Sequence, residues 1–392
     1  AIMKEFTNYQ YEVRFLRAYF YFELIKRYRN IPFVLDVLAQ NEANGVNPES
    51  YEKIAKFIVD ECSDLAQILP VNYDNFSTKE KGRVTRAAAM ALKSRVTLYM
   101  ASPLFSEDSE DKWKQAAEAA YDIIKQKTDL GLDLVPYPQI FNDVNNQKAE
   151  VILYRPTGES GDFEKANFPI GVEGGKTSTC PTQNLMEAYD MKDGTPFVWN
   201  NQSDPYDNRD PRMKYTIVCN EMKWPVDPVE IWEGGTNGLP LQNATTTGYY
   251  LKKYVNNTIS FEAGSTVTKK QHNWVLFRYG EILLNYAEAM INAFHDPNYK
   301  DAVYNMSARE AVNQIRGRTN ISLPGFPSDI TEKDFVKRLK NERRVELAFE
   351  GHRFWDVRRW KELGQTANIY GVKITKNNEV ISYEKFLLET RA

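Results

Sequence analysis

The chain has 392 residues, 42% hydrophobic and 13% aromatic, with 50 lysines and arginines against 53 aspartates and glutamates. A formal net charge of −3 leaves no basic excess to neutralise phosphates, which argues against nucleic acid as a main partner. No apolar run approaches the ~20 residues that a membrane-spanning helix needs, and Cys62, Cys180 and Cys219 are too scattered, relative to each other and to His272, His295 and His352, for a disulfide framework or a zinc site.

The first predicted element is a helix with no leader before it. Tyr11, Phe15, Ala18 and Phe22 share one face, which Leu16, Tyr19 and Phe20 widen; Glu23 and Arg27 have i,i+4 spacing, and Pro32 ends the run. A second helix is predicted from about Pro48 to Leu69, through Ile54, Phe57, Ile58, Leu65 and Ile68. A third follows Gly82 and carries Ala87, Ala88, Ala91, Arg95 and Tyr99 as far as Pro103, its small residues allowing a neighbour to come close. In the fourth, Trp113, Ala116, Ala117, Ala120, Tyr121 and Ile124 mark a clear amphipathic stripe.

Residues 131–271 differ in kind. They are rich in Gly, Pro, Asn, Thr and Tyr, with short strand candidates only at Glu150–Tyr154 and Tyr215–Cys219. So long an irregular stretch inside a folded chain is usually functional or disordered, and its aromatics argue against disorder. After residue 270 a long helix is predicted through Leu276, Tyr279, Leu283, Tyr286, Ala287, Met290 and Phe294. Ser307 with Glu310 reads as a capping box, and Thr331 with Asp334 as a similar start. The expected organisation is therefore a helical part (1–130), a loop-rich ligand-binding region (131–271) and a second helical part (272–392). The fold class is mainly α, either tetratricopeptide-like hairpins or a generic bundle, with a few short strands.

The densest segment is Asn341–Gly364, NERRVELAFEGHRFWDVRRWKELG. Arg343 shares a stripe with Val336, Leu339 and Leu347, so its guanidinium lies on an apolar face and must be paired; Glu346, Glu350 and Asp356 are the candidate partners. Trp355 and Asp356 belong to the same structural junction. Gly171-Val-Glu-Gly-Gly-Lys-Thr invites a phosphate-loop reading, but only three residues separate its first glycine from the Gly-Lys pair where four are required. In Asn208-Arg209-Asp210-Pro211-Arg212, Asp210 can cap a short helix with Pro211 at its first position, which fixes the turn that bears Arg209.

The loop-rich region also concentrates aromatics. Sugars present C–H faces to rings and hydroxyls to amides and guanidiniums, so Trp199, Trp224, Trp232, Tyr206 and Tyr250, with Arg209, form the candidate ligand-binding set. Each ring has a competing structural use, because irregular chain needs large side chains to build any core. Asp204, Asp207 and Asp210 cannot be paired into a glycosidase site from sequence, and no catalytic, metal or cofactor site is expected.

Several segments resemble the SusD/RagB family of outer-membrane nutrient-binding lipoproteins. They are RFLRAYFYFELIKRY (Arg14–Tyr28), RVTRAAAMALKSRVTLYMASPLF (Arg83–Phe105), PTQNLMEAYDMKDG (Pro181–Gly194), NRDPR (Asn208–Arg212), FRYGEILLNYAEAM (Phe277–Met290) and the Asn341–Gly364 block. The resemblance implies tetratricopeptide-like hairpins with a loop-rich ligand site, and binding of oligosaccharide without cleavage. It also implies a surface-exposed lipoprotein of the outer membrane that works with a TonB-dependent, SusC-like transporter. The family's signal, anchor cysteine and Pro- and Asn-rich ending are not seen here, so the sequence is read as a segment trimmed at both ends, with some ligand contacts outside it. A glycoside hydrolase on a helical scaffold and a peptide-capturing importer lid are the alternatives.

Overall fold

The computed structural model describes residues 2–74, 82–107, 109–200, 204–261 and 268–391. Its helices are α1 (Ile2–Tyr28), α2 (Tyr51–Ile68), α3 (Arg86–Ala101), α4 (Glu110–Lys125), α5 (Asp162–Asn167), α6 (Gln183–Met186), α7 (Pro211–Thr216), α8 (Tyr279–Phe294), α9 (Ala308–Arg316), α10 (Glu332–Glu346) and α11 (Arg353–Arg359). The strands are β1 (Ile31–Pro32), β2 (Pro48–Glu49), β3 (Val151–Ser160), β4 (Ile217–Val218), β5 (Tyr250–Leu251), β6 (Lys270–Arg278), β7 (Asn368–Asn377) and β8 (Val380–Thr390), paired antiparallel as β1–β2, β3–β6, β4–β5 and β7–β8.

The larger helices stack in chain order, α1 on α2, α2 on α3 and α3 on α4. The stack then resumes with α4 against α8, α8 against α9 and α8 against α10. Everything between α4 and α8 therefore leaves the stack and returns to it. Alanines explain the close approaches: Ala87, Ala88, Ala91, Ala116, Ala117, Ala120 and Ala287 are all buried at these crossings. The helix starts follow their caps. Ser307 and Glu310 form a reciprocal capping box, while Ser50, Ser109 and Thr331 each accept a backbone N–H three residues on.

Three expectations need correction. Leu16 and Phe20 do not widen the core face of α1, because they are 42% and 59% exposed while Phe15, Ala18, Phe22 and Ile25 are fully buried. Leu276 lies in β6, and α8 begins only at Tyr279, since Lys270–Arg278 pairs with β3. Residues 368–390 are not helical. They form a hairpin turning on Asn378, whose φ is 54°, and along β7 buried Val372 and Ile374 flank the exposed Lys373.

The inserted lobe has its own core. Phe168, Met186, Tyr189, Met213, Ile217, Val229, Tyr249, Tyr250 and Leu251 pack with Val372, Ile374 and Tyr383 of the β7–β8 hairpin and with Val345 of α10. Phe335 and Leu339 of the same α10 belong to the core of the helical stack, so this helix is the wall shared by both.

Charges join the two parts through that wall. Fully buried Glu346 accepts from Arg212 of α7 at 2.9 Å, from Arg278 at the end of β6 at 2.9 Å and from Arg318 beyond α9 at 2.7 Å. Burial alone would raise its carboxyl, but the cations of Arg318, Arg278 and Arg212 outweigh it and hold Glu346 well below the usual carboxylate range. Arg278 also binds Glu150 and Glu350, and Arg212 binds Asp210 and Glu342.

Arg343 is 1% exposed and donates to Asp356 at 2.9 and 3.0 Å and to Asn285 at 2.7 Å. Of its three candidate partners, Asp356 is the one engaged; Glu346 and Glu350 serve Arg212, Arg278, Arg318 and Lys253 instead. Gly351, at φ 79°, makes the turn from α10 to α11, and Trp355 lies beneath Lys26 and Arg27 of α1.

Candidate ligand-binding groove

Three adjoining depressions of about 830, 330 and 540 Å³ form a groove that begins where α1 of the stack faces the β3–β6 ribbon and runs on into the lobe. Tyr254 and His272 form the wall between the first and second, and Trp224, Asn257 and Thr258 the wall between the second and third. One side of the first depression is apolar, built from Phe15, Leu16, Tyr19 and Phe20 of α1. The opposite side is the twisted β3–β6 ribbon, where Arg155 stands across from Trp274.

Trp274 presents an exposed indole to the first depression. Its ring stacks on Tyr254 at 4.7 Å and 17°, and Tyr254 is braced in turn by Phe141 at 4.9 Å. The indole nevertheless stays 36% exposed, so the face turned away from Tyr254 remains for a ligand. Tyr254 sits at φ 66°, in the left-handed region that a tyrosine seldom adopts, and its buried hydroxyl has no protein hydrogen-bond partner. The Trp224 indole N–H, at the far end, is likewise buried without one.

A polar floor lies between these aromatics. Glu164 is completely buried, accepts the Asn256 N–H at 2.9 Å and faces His272 Nε2 at 3.1 Å. Thr157 donates to the His272 carbonyl at 2.6 Å, and Lys270 pairs with Asp143 at 3.3 Å, which ties the 141–146 loop to the ribbon. Rings fixed from behind, with amides, a histidine, an arginine and a lysine along one open groove, suit an extended ligand with apolar faces and many hydroxyls. Among the described residues no group of His, Cys, Asp and Glu is placed to hold a metal ion.

The six candidate residues do not converge. Trp224 lines the groove but is 7% exposed with Lys252 over its ring at 4.9 Å, so it offers an edge and not a platform. Tyr250 is fully buried and donates to the Asn237 carbonyl. Arg209 is 5% exposed; it donates to the carbonyls of Met186, Pro205 and Tyr189 at 2.7–2.8 Å and lies 3.5 Å from the Phe197 ring centre.

Tyr206 packs edge-on against Tyr249 and Tyr383, with its hydroxyl buried. The ligand-facing roles expected of Arg209, Tyr250 and Tyr206 are therefore corrected: the loops use these side chains to satisfy their own backbone and to fill their own core. Trp232 lies under Lys376 and Trp199 beside Phe197, both half-buried and both outside the groove.

Asp210 caps α7 through the Arg212 N–H at 2.9 Å and also pairs with the Arg212 guanidinium at 2.7 Å. The glycine-rich loop has a packing role, since a Cβ on Gly171, at φ 88°, would lie 2.2 Å from the Thr236 carbonyl oxygen. Trp274 and Tyr254 were missed. Reading β6 as a strand would have exposed Trp274 as a large ring on an alternating element.

Comparison with known proteins places this geometry in context. A family model for the SusD family matches residues 140–386. A SusD-like protein from Bacteroides fragilis, 26% identical, superposes with a TM-score of 0.77 over 97% of this chain and 74% of its own. A SusD-like carbohydrate-binding protein from the same species is 28% identical, with a TM-score of 0.78 over 93% and 69% of the two chains. The fold is also that of surface glycan-binding protein A from Bacteroides uniformis, at 18% identity and a TM-score of 0.64 over 90% and 66%. No curated protein sequence matches.

Proposed function

The chain belongs to the SusD family, and from that premise we propose that it captures oligosaccharide in the groove that runs from the helical stack into the lobe, without cleaving it. The observation that carries this reading is the backed Trp274 ring, stacked on Tyr254 and left open on its other face, beside the Asn256, His272 and Arg155 side chains. Ring stacking holds a pyranose face, and the amides and cation take its hydroxyls. The SusD-like carbohydrate-binding relative from B. fragilis supports a sugar ligand. Membership of the family supports a setting at the outer-membrane surface through a lipid anchor, with delivery to a TonB-dependent, SusC-like transporter. None of the helices is long and apolar enough to cross a membrane among the described residues.

A panel of polysaccharides tests this. Retention without new reducing ends is the expected result, and its loss in Trp274→Ala locates the site. Release of sugar would establish the hydrolase alternative. Indifference to every glycan, with capture of peptides, would establish the importer lid for peptides.

A further inference from the structure

We propose that α10 and the start of α11 carry a second binding site, for an oxyanion, on a face separate from the groove. A pocket of about 500 Å³ opens there, bounded by α10, by the 187–197 segment and by Arg353 and Gln365. Its acidic groups are already matched. Glu342 is held by Arg212 and Arg316, Asp190 by Arg316 and Arg338, Glu362 by Lys340 and Glu187 by Lys385.

The remaining cations are not matched. Arg344 donates only to the neutral Asn184 carbonyl at 2.8 Å, and Arg353 only to the Gln365 side-chain oxygen at 3.0 Å. Lys333 and Lys337, exposed on the rim, have no carboxylate partner among the described residues. Burial, and then the neighbouring Arg353, pull the Arg344 guanidinium down to about 10, which is the response of a desolvated cation beside a like charge.

Two half-buried guanidiniums and two exposed lysines around one pocket leave most of their donors uncommitted. The forked geometry of guanidinium donors fits a carboxylate, sulfate or phosphate, and an oxyanion seated between Arg344 and Arg353 would remove their repulsion. The site does not depend on the glycan reading. Its ligand is either a free inorganic anion or the acidic group of a sugar.

Calorimetric titration of the full chain with sodium sulfate, and separately with sodium glucuronate, at fixed ionic strength in chloride, distinguishes these sources. One saturable site is expected. Arg353→Gln should weaken it by about tenfold or more, and Lys337→Gln by less, in line with loss of charge-assisted bonds. Sulfate bound tighter than glucuronate identifies a free anion, and the reverse order an acidic sugar. Absence of saturable binding by both anions overturns the proposal, as does unchanged affinity in both variants. If Arg353→Gln melts early, Lys337→Gln decides alone, because its side chain is on the rim and holds nothing in the fold.

Discussion

The helical stack and the inserted lobe solve the same problem by different means. In the stack, alanines and aromatics recur at helical spacing, backbone groups bond within each helix, and burial follows from the period. The lobe has little regular structure, so its backbone carbonyls need side-chain donors. Arg209 serves three of them, Tyr250 one and the Asn237 side chain another, at Ile170. Residues that look ligand-seeking in a loop are thus taken up by the loop itself, and the ligand surface proposed above draws on other side chains, Trp274 and Tyr254 first.

The seam between the two regions gives the sharpest way to break this comparison. Glu346→Ala would take a shared carboxylate from Arg212, Arg278 and Arg318, which keep Asp210, Glu342, Glu150 and Glu350, with an expected loss at the top of the ~3–5 kcal/mol range for a broken buried pair. Urea unfolding of this variant should show that loss as a lower midpoint. Arg343→Ala, inside the stack, should cost ~3–5 kcal/mol, because buried Asp356 would keep only Arg359 and Asn285 would lose its donor. An unchanged melting temperature would show that the Arg343–Asp356 pair is not fixing α10 to α11. Phe22→Ala should cost a similar ~3–5 kcal/mol through the cavity it leaves.

Acid should weaken the buried ion pairs of both the seam and the stack. The carboxyls of Glu346, Glu342, Glu350 and Glu288 are lower in the folded chain than their ordinary value of 4.5. Their contribution is complete above that value and declines as pH falls through the folded values. Melting temperature should therefore begin to fall below pH ~6.5, because burial and the nearby Arg95 hold His352 neutral in the folded chain, and drop more steeply below ~4.5 as the carboxylates protonate. A level curve down to pH ~3 would remove these carboxylates from the stability of the fold. The smallest structural effect belongs to Trp274→Ala. It should leave helical content intact while lowering glycan affinity by about 1–3 kcal/mol, by analogy with base–aromatic stacking. Trp232→Ala should spare affinity, which titration alongside Trp274→Ala would check.

How much of this was legible follows the same division. The stack could be read from Phe15, Phe22 and Ile58, from the alanines of α3 and α4, and from the Ser307–Glu310 box, because each carries its own local signal. The buried state of Arg343 was legible for the same reason, since its neighbours on the stripe are apolar. Glu346 and Glu350 follow similar spacing, yet their partners Arg212, Arg278 and Arg318 are far away in sequence. Pairing over such separations has no periodic trace. The β7–β8 hairpin did have one, in the alternation of Tyr370, Val372 and Ile374, but it was overshadowed by the helices before it. The groove was illegible because Tyr254 and Trp274 meet only once the 141–146 loop and β6 have closed on each other.

The insertion between α4 and α8 has a consequence for how such a protein can change. The stack closes over the gap by itself, and the lobe is fastened to it by charges hidden at α10 together with apolar packing on the same helix. Loop length and the side chains along the open groove can therefore drift, one substitution at a time, without disturbing how the scaffold assembles. The fastening, by contrast, tolerates no piecemeal revision: replacing Arg212 alone would leave Asp210, Glu342 and Glu346 short of their common cation. A lineage built on this plan can diversify what it holds while keeping fixed how it is held together.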